Sequence, residues 1–135
     1  MEKKSALEIQ IDGQHYKNQK IQPIELAYKL GGTPAFCKLA KYLTREKNDK
    51  KVNLQKAYHC ICLEEDLSVF ADIYYIKDHD NFYNERWYVE ELVEDFSDNE
   101  MIRSALIAMY TRDYSSAKQC VNYYAIEVLG TEVGE

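Results

Sequence analysis

Apolar side chains recur along most of this chain at intervals of three and four residues, the period that builds one face of a helix. Clean alternation is confined to "LEIQI" near the start, so strands are nearly absent from the expectation. Both prolines stand where helices begin. Pro23 opens "PIELAYKL", closed by Gly31-Gly32, and Pro34 opens "AFCKLAKYLTREK", with Thr33 as N-cap and a stripe of Phe36, Leu39, Ala40 and Leu43. A basic loop, "EKNDKKVN", leads into a third helix read from Leu54 to about Ile76, with Asn53 as its cap and a bend near Asp66 to Ser68. "KDHDNFYN" reads as a loop before "ERWYVEELVEDF". Ser97-Asp98-Asn99-Glu100 then fits a capping box for a helix carrying Ile102, Ala105, Leu106 and Met109. The last helix follows Ser115 and ends at Gly130. The pattern predicts an all-α fold: a compact bundle of about six helices with an extended N-terminal arm, one domain over residues 1–135.

Length agrees with one domain, since 135 residues bury a modest core and leave no room for two. No run approaches the ~18 apolar residues of a membrane span, and the start lacks the apolar stretch of a signal peptide, so a cytoplasmic protein is expected. In that reducing setting the four cysteines read as buried thiols, and the Cys60/Cys62 spacing does not suit structural zinc. Charge divides unevenly. Residues 1–63 hold 12 Lys and Arg against 6 Asp and Glu, whereas residues 64–135 hold 5 against 17. The first half therefore suits an anionic ligand, and the second a cationic partner or plain solubility.

Neither G-x-x-x-x-G-K-[ST] nor G-x-G-x-x-G occurs, so phosphates would have to be held by side chains. Lys41 and Arg45, four apart on one helix face, can meet the same polyanion. His15, Tyr16, Lys17 and Lys20 complete the candidate ligand or phosphate site, with His15 able to act as base or hydrogen-bond donor near neutrality. Lys50 and Lys51 read as solvated loop residues. The runs "EED" at Glu64 to Asp66 and "EELVED" at Glu90 to Asp95 are the densest carboxylates, and both read as a solvated acidic face; no metal site is assigned. The run Glu90-Glu91-x-x-Glu94 is similar to the first half of the metal motif of all-α nucleotide pyrophosphatases, but Tyr110 and Asp113 stand where its second half would be. Twelve tyrosines against four phenylalanines suit wet or interfacial positions. Tyr74, Tyr75, Tyr83, Trp87 and Tyr88, with Glu90 and Glu91, are the candidate protein interface, aromatic anchors with an acidic rim.

Between residues 12 and 66 the chain reads His15-Tyr16, Pro23-Ile24-Glu25, Phe36, Lys41-Tyr42-Leu43-Thr44-Arg45, Lys50-Lys51 and Asn53-Leu54-Gln55-Lys56-Ala57. In that order and spacing the segment resembles the SaV-like family of bacteriophage proteins. It departs at Cys37-Lys38, where the family has Gly-Asn, and residues 67–135, the acidic and tyrosine-rich half, have no counterpart. One coliphage member is a nucleoside-monophosphate kinase without the usual phosphate loop. The resemblance implies a phage or prophage accessory protein that binds a nucleotide or related phosphorylated small molecule, as such a kinase, with Mg2+ as the cofactor of the kinase case, or as a sequestering protein for a nucleotide signal. The alternative is a phage inhibitor of a host defence protein, acting in the host cytoplasm through the acidic, tyrosine-rich surface. A homo-oligomer is expected, duplex nucleic acid is disfavoured by the net charge of −6, and no membrane partner is expected.

Overall fold

A computed structural model describes residues 20–75 and 86–135, apart from the side chains of Arg86 and Trp87. Within them the chain forms α1 (Pro23–Leu30), α2 (Pro34–Thr44), α3 (Lys50–Asp66), a 3-10 helix (Ser68–Ile73), α4 (Arg86–Phe96), α5 (Glu100–Tyr110) and α6 (Tyr114–Leu129). The all-α expectation holds, with no strand among the described residues. The "LEIQI" segment, the N-terminal arm and the "KDHDNFYN" loop lie outside the described residues.

Local chemistry sets most boundaries. Pro23 and Pro34 each occupy a first helical turn, where a missing N–H costs nothing. The Thr33 hydroxyl accepts from Phe36 N–H as the N-cap of α2. Gly31, at φ 65°, closes α1 in the left-handed conformation, and Gly130, at φ 81°, closes α6. Two caps differ from expectation. Asp49, not Asn53, starts α3, its carboxylate accepting from Lys51 and Val52 N–H; Asn53 is buried one turn in and donates to the Lys47 carbonyl at 2.9 Å. Asn99 rather than Ser97 caps α5, accepting from Ile102 N–H, while the Ser97 hydroxyl accepts from Asn99 N–H.

The expected helix from Leu54 to Ile76 is also divided. It starts four residues earlier and ends at Asp66, after which the chain tightens into the 3-10 helix. The physical cause lies far away in sequence. Arg112, in the left-handed region at φ 63°, reaches across from the α5–α6 turn to donate to the Ser68 carbonyl at 2.5 Å and to Asp72 at 2.6 Å. That clamp holds the segment after α3 against the start of α6.

Helices α2 and α3 pack along each other, as do α5 and α6; α3 also meets α6, α1 lies on α2, and α4 bridges α1 and α5. The stripes named from sequence for α2 and α5 supply part of the core, with Phe36, Leu39, Leu43 and Leu106 fully buried, and Leu54 of α3 and Val121 of α6 join them. Each such side chain stabilises the fold by about 1.5–3 kcal/mol through burial. No described helix is long and apolar enough to cross a membrane.

Gly32 sits where the α1–α2 turn presses on this core. A Cβ there would lie 2.7 Å from Phe36 Cδ1, and Phe36 is fully buried. Gly32→Ala is expected to cost about 1–3 kcal/mol in urea unfolding through overpacking. Gly130→Ala meets no neighbouring atom and costs about 1–2 kcal/mol from its left-handed backbone alone. A Gly32→Ala protein as stable as the parent would show that this turn is not packed as described.

Candidate functional site

A single carboxylate organises the centre of the molecule. Glu64 falls seven residues after Ala57 and three after Ile61, on the core-facing stripe of α3, and is 3% exposed. Three hydroxyls converge on it. Thr33 donates to Oε1. The Tyr75 hydroxyl lies 2.8 Å from each oxygen, and Tyr114 donates to Oε2 at 2.9 Å. Arg112 Nε in turn donates to the Tyr114 hydroxyl at 3.2 Å, so the clamp described above ends on this carboxylate. The network ties together the first turns of α2 and α6, the last turn of α3 and the end of the 3-10 helix.

Tyr75 is the strained member. It sits at φ 62°, a conformation that costs a side-chain-bearing residue about 1–2 kcal/mol, and is held there by its N–H to the Gly31 carbonyl and its ring between Phe36 and Tyr110. Both ring pairs are edge-to-face, with centroids 5.9 and 5.8 Å apart. Burial, reinforced by the Glu64 carboxylate, pushes the Tyr75 phenol well above the ordinary range. Burial also raises Tyr110, and raises Tyr114 against the opposing pull of Arg112.

Glu64 and Thr33 form part of the lining of an apolar pocket of about 330 Å³ between α2, α3 and the 3-10 helix, with Lys38, Leu67, Phe70 and Tyr74 around it. Cys60 also lines it. Burial pushes its thiol up to about 11, Lys38 pulling weakly the other way, so near neutrality it is a protonated wall rather than a nucleophile. With both oxygens already accepting hydroxyls, Glu64 positions its neighbours rather than standing ready as a base.

A second feature lies on the outer face of α2 and α3. Lys38, Lys41 and Arg45 follow one another at spacings of three and four along α2, and Lys56 of α3 joins them: the Lys41 and Lys56 ammonium groups lie 5.4 and 5.5 Å from the Tyr42 ring centroid. Lys20, Lys29, Arg112 and Lys118 each reach a carboxylate, but these four cations reach none among the described residues. Arg45 Nε is buried without a hydrogen-bond partner.

The sequence candidates are redistributed accordingly. Lys41 and Arg45 do share a face. Lys20 stands apart, exposed, with Asp95 of α4 at 3.7 Å, and His15, Tyr16 and Lys17 lie outside the described residues. Lys50 fastens the end of α2, donating to the Leu43 and Arg45 carbonyls. Of the interface candidates, Tyr74 is exposed at the pocket's lip, whereas Tyr75 is in the core and offers no surface. Tyr88 and Glu90 are half-buried and Glu91 exposed on α4; Tyr83 and the Trp87 side chain lie outside the described residues. The acidic run at Glu64 is the clearest correction: Glu65 and Asp66 are solvated, but Glu64 is internal. Among the described residues no group of three His, Cys, Asp or Glu side chains is placed to hold a metal ion. No family model, curated protein or solved structure matches the chain.

Two outcomes follow from the hydroxyl network. Glu64→Ala strands three buried hydroxyls and leaves a void, and is expected to cost about 3 kcal/mol or more in denaturant unfolding, with Glu64→Gln, which keeps shape and one acceptor, costing less. A change within about 0.5 kcal/mol for Glu64→Ala would remove the network's claim to importance. Because Tyr75, Tyr110 and Tyr114 have folded-state values above their unfolded ones, the stability they confer is complete below the ordinary phenol value of about 10 and lost as pH rises above it. Tyrosinate absorbance and circular dichroism, followed together in an alkaline titration, should show the last phenols ionising as the helices melt. Full ionisation with the helical signal intact would contradict this.

Proposed function

We propose that this chain is a phage or prophage accessory protein that binds a nucleotide or related phosphorylated small molecule on the basic stripe of α2 and α3. The observation that carries the reading is the group of four cations, Lys38, Lys41, Arg45 and Lys56, on adjoining helices, which form no ion pair among the described residues of a chain of net charge −6. A guanidinium can grip a phosphate with two parallel bonds, and ammonium groups beside it add charge without fixed geometry. The resemblance of residues 12–66 to the SaV-like phage proteins supports the same ligand class. The reading is of binding; phosphoryl transfer in the manner of the kinase member is its extension, tested by the same ligands.

Thermal denaturation in millimolar nucleoside mono-, di-, tri- and cyclic phosphates tests it. A ligand at ten times its Kd adds about 1.4 kcal/mol and raises the midpoint by about 4 °C, by mass action. Lys41→Ala, Lys56→Ala or Arg45→Ala should remove the gain while leaving the unliganded midpoint little changed for the two lysines. Phosphate transfer from a triphosphate to a hit monophosphate would extend binding to kinase activity. A screen with no hit, together with a host protein that co-purifies with the chain and dissociates in high salt, would replace this reading with the host-inhibitor one.

A further inference from the structure

The apolar pocket beside Glu64 and the cations of α2 and α3 meet at Lys38. That residue lines the pocket and is also the first of the basic stripe, with Lys41 three residues further along α2 on the same face. On the facing helix, Lys56 stands four residues before Cys60 and seven before Leu63, both of which line the pocket, so all three share one stripe of α3. Lys41 and Lys56 come together at the Tyr42 ring. The Lys38 ammonium is close enough to the Cys60 thiol to pull its ionisation down against the effect of burial. Hollow and positive charge therefore lie end to end between the same two helices.

The pocket itself suits an apolar guest. Leu63, Leu67, Phe70 and Tyr74 wall it, and Phe70 is 69% exposed, so a molecule lying against it would take a large aromatic surface out of water. Its volume, about 330 Å³, falls at the lower end of the roughly 300–1,000 Å³ of small-molecule sites. The polar groups behind the wall are already engaged. Thr33 donates to Glu64 and accepts from Phe36 N–H, and the Glu64 oxygens accept from Thr33, Tyr75 and Tyr114. Of the two charged side chains in the lining, Glu64 is thus committed, whereas Lys38 forms no ion pair among the described residues. A nucleobase would turn polar ring edges toward walls with few partners to offer, a cost that a hydrocarbon body avoids.

We propose that the pocket and the stripe form one bipartite site for a phosphate monoester with a compact hydrocarbon body, an aryl or short prenyl phosphate. The body lies against Leu63, Leu67 and Phe70, and the phosphate rests on Lys38 with Lys41 or Lys56 beside it. The inference rests on phosphate binding by these cations and narrows the ligand from nucleotides to esters of apolar alcohols and phenols.

Calorimetric titration of the full chain with 1-naphthyl phosphate, inorganic phosphate, 1-naphthol and the common nucleoside monophosphates tests it. 1-Naphthyl phosphate should bind about tenfold or more tightly than each of the others. Lys38→Ala and Phe70→Ser, the second at an exposed position, should each weaken its binding about tenfold with an unchanged circular dichroism spectrum. Binding no tighter than that of inorganic phosphate removes the apolar half of the site, and binding no tighter than that of 1-naphthol removes the charged half; either overturns the proposal, as does indifference to Lys38→Ala or Phe70→Ser. Nucleotides that bind these cations more tightly than 1-naphthyl phosphate would overturn this inference and leave phosphate binding by the stripe standing. No binding by any of the phosphates would remove both.

Discussion

Removing the carboxylate of Glu64 from water sets the terms for the rest of this molecule. A polar group at 3% exposure must be matched by donors, and here they come from three places remote in sequence: Thr33, Tyr75 and Tyr114. Each donor lies at the edge of an element, so satisfying one carboxylate fixes where α2 begins, where the 3-10 helix ends and where α6 starts. The strain of Tyr75 and the left-handed Arg112 are consequences of the same demand, since both residues must bend to deliver a donor or its support.

The apolar hollow beside that centre inherits its shape from it. Because α3 ends at Asp66 and the 3-10 helix turns back toward Arg112, Phe70 and Ile73 are left outside the core with a hollow beside them. Had α3 continued straight to Ile76, those side chains would have spiralled around a solvated helix and no concavity would have formed. The basic stripe depends instead on the packing of α2 against α3, which brings Lys56 to the same tyrosine ring as Lys41. Lys38 belongs to both the pocket lining and the group of cations, and α3 contributes to both.

Much of the architecture could be read from residues alone. The proline and glycine positions marked the start and end of α1 and the start of α2, the three- and four-residue periods gave six helices, and those stripes form the buried core. Local signals near each other in sequence, such as Thr33 with Phe36 or Lys41 with Arg45, are fixed by helix geometry and survive folding unchanged. Glu64 was also within reach: it continues the stripe of Leu54, Ala57 and Ile61, a place where a carboxylate must be internal. The neighbouring Glu65 and Asp66 made the run look solvated.

Tertiary structure decided what no local pattern encodes. The end of α3 is set by a guanidinium more than forty residues away, the burial of Tyr75 by a carboxylate eleven residues back on another element, and the joining of Lys56 to the α2 cations by helix packing. The sequence by itself determined the helices and the face each one buries, because hydrogen bonds three or four residues apart and periodic burial are short-range. Which polar groups met inside, and which apolar ones were left out, depended on long-range contacts that exist only once those helices have packed.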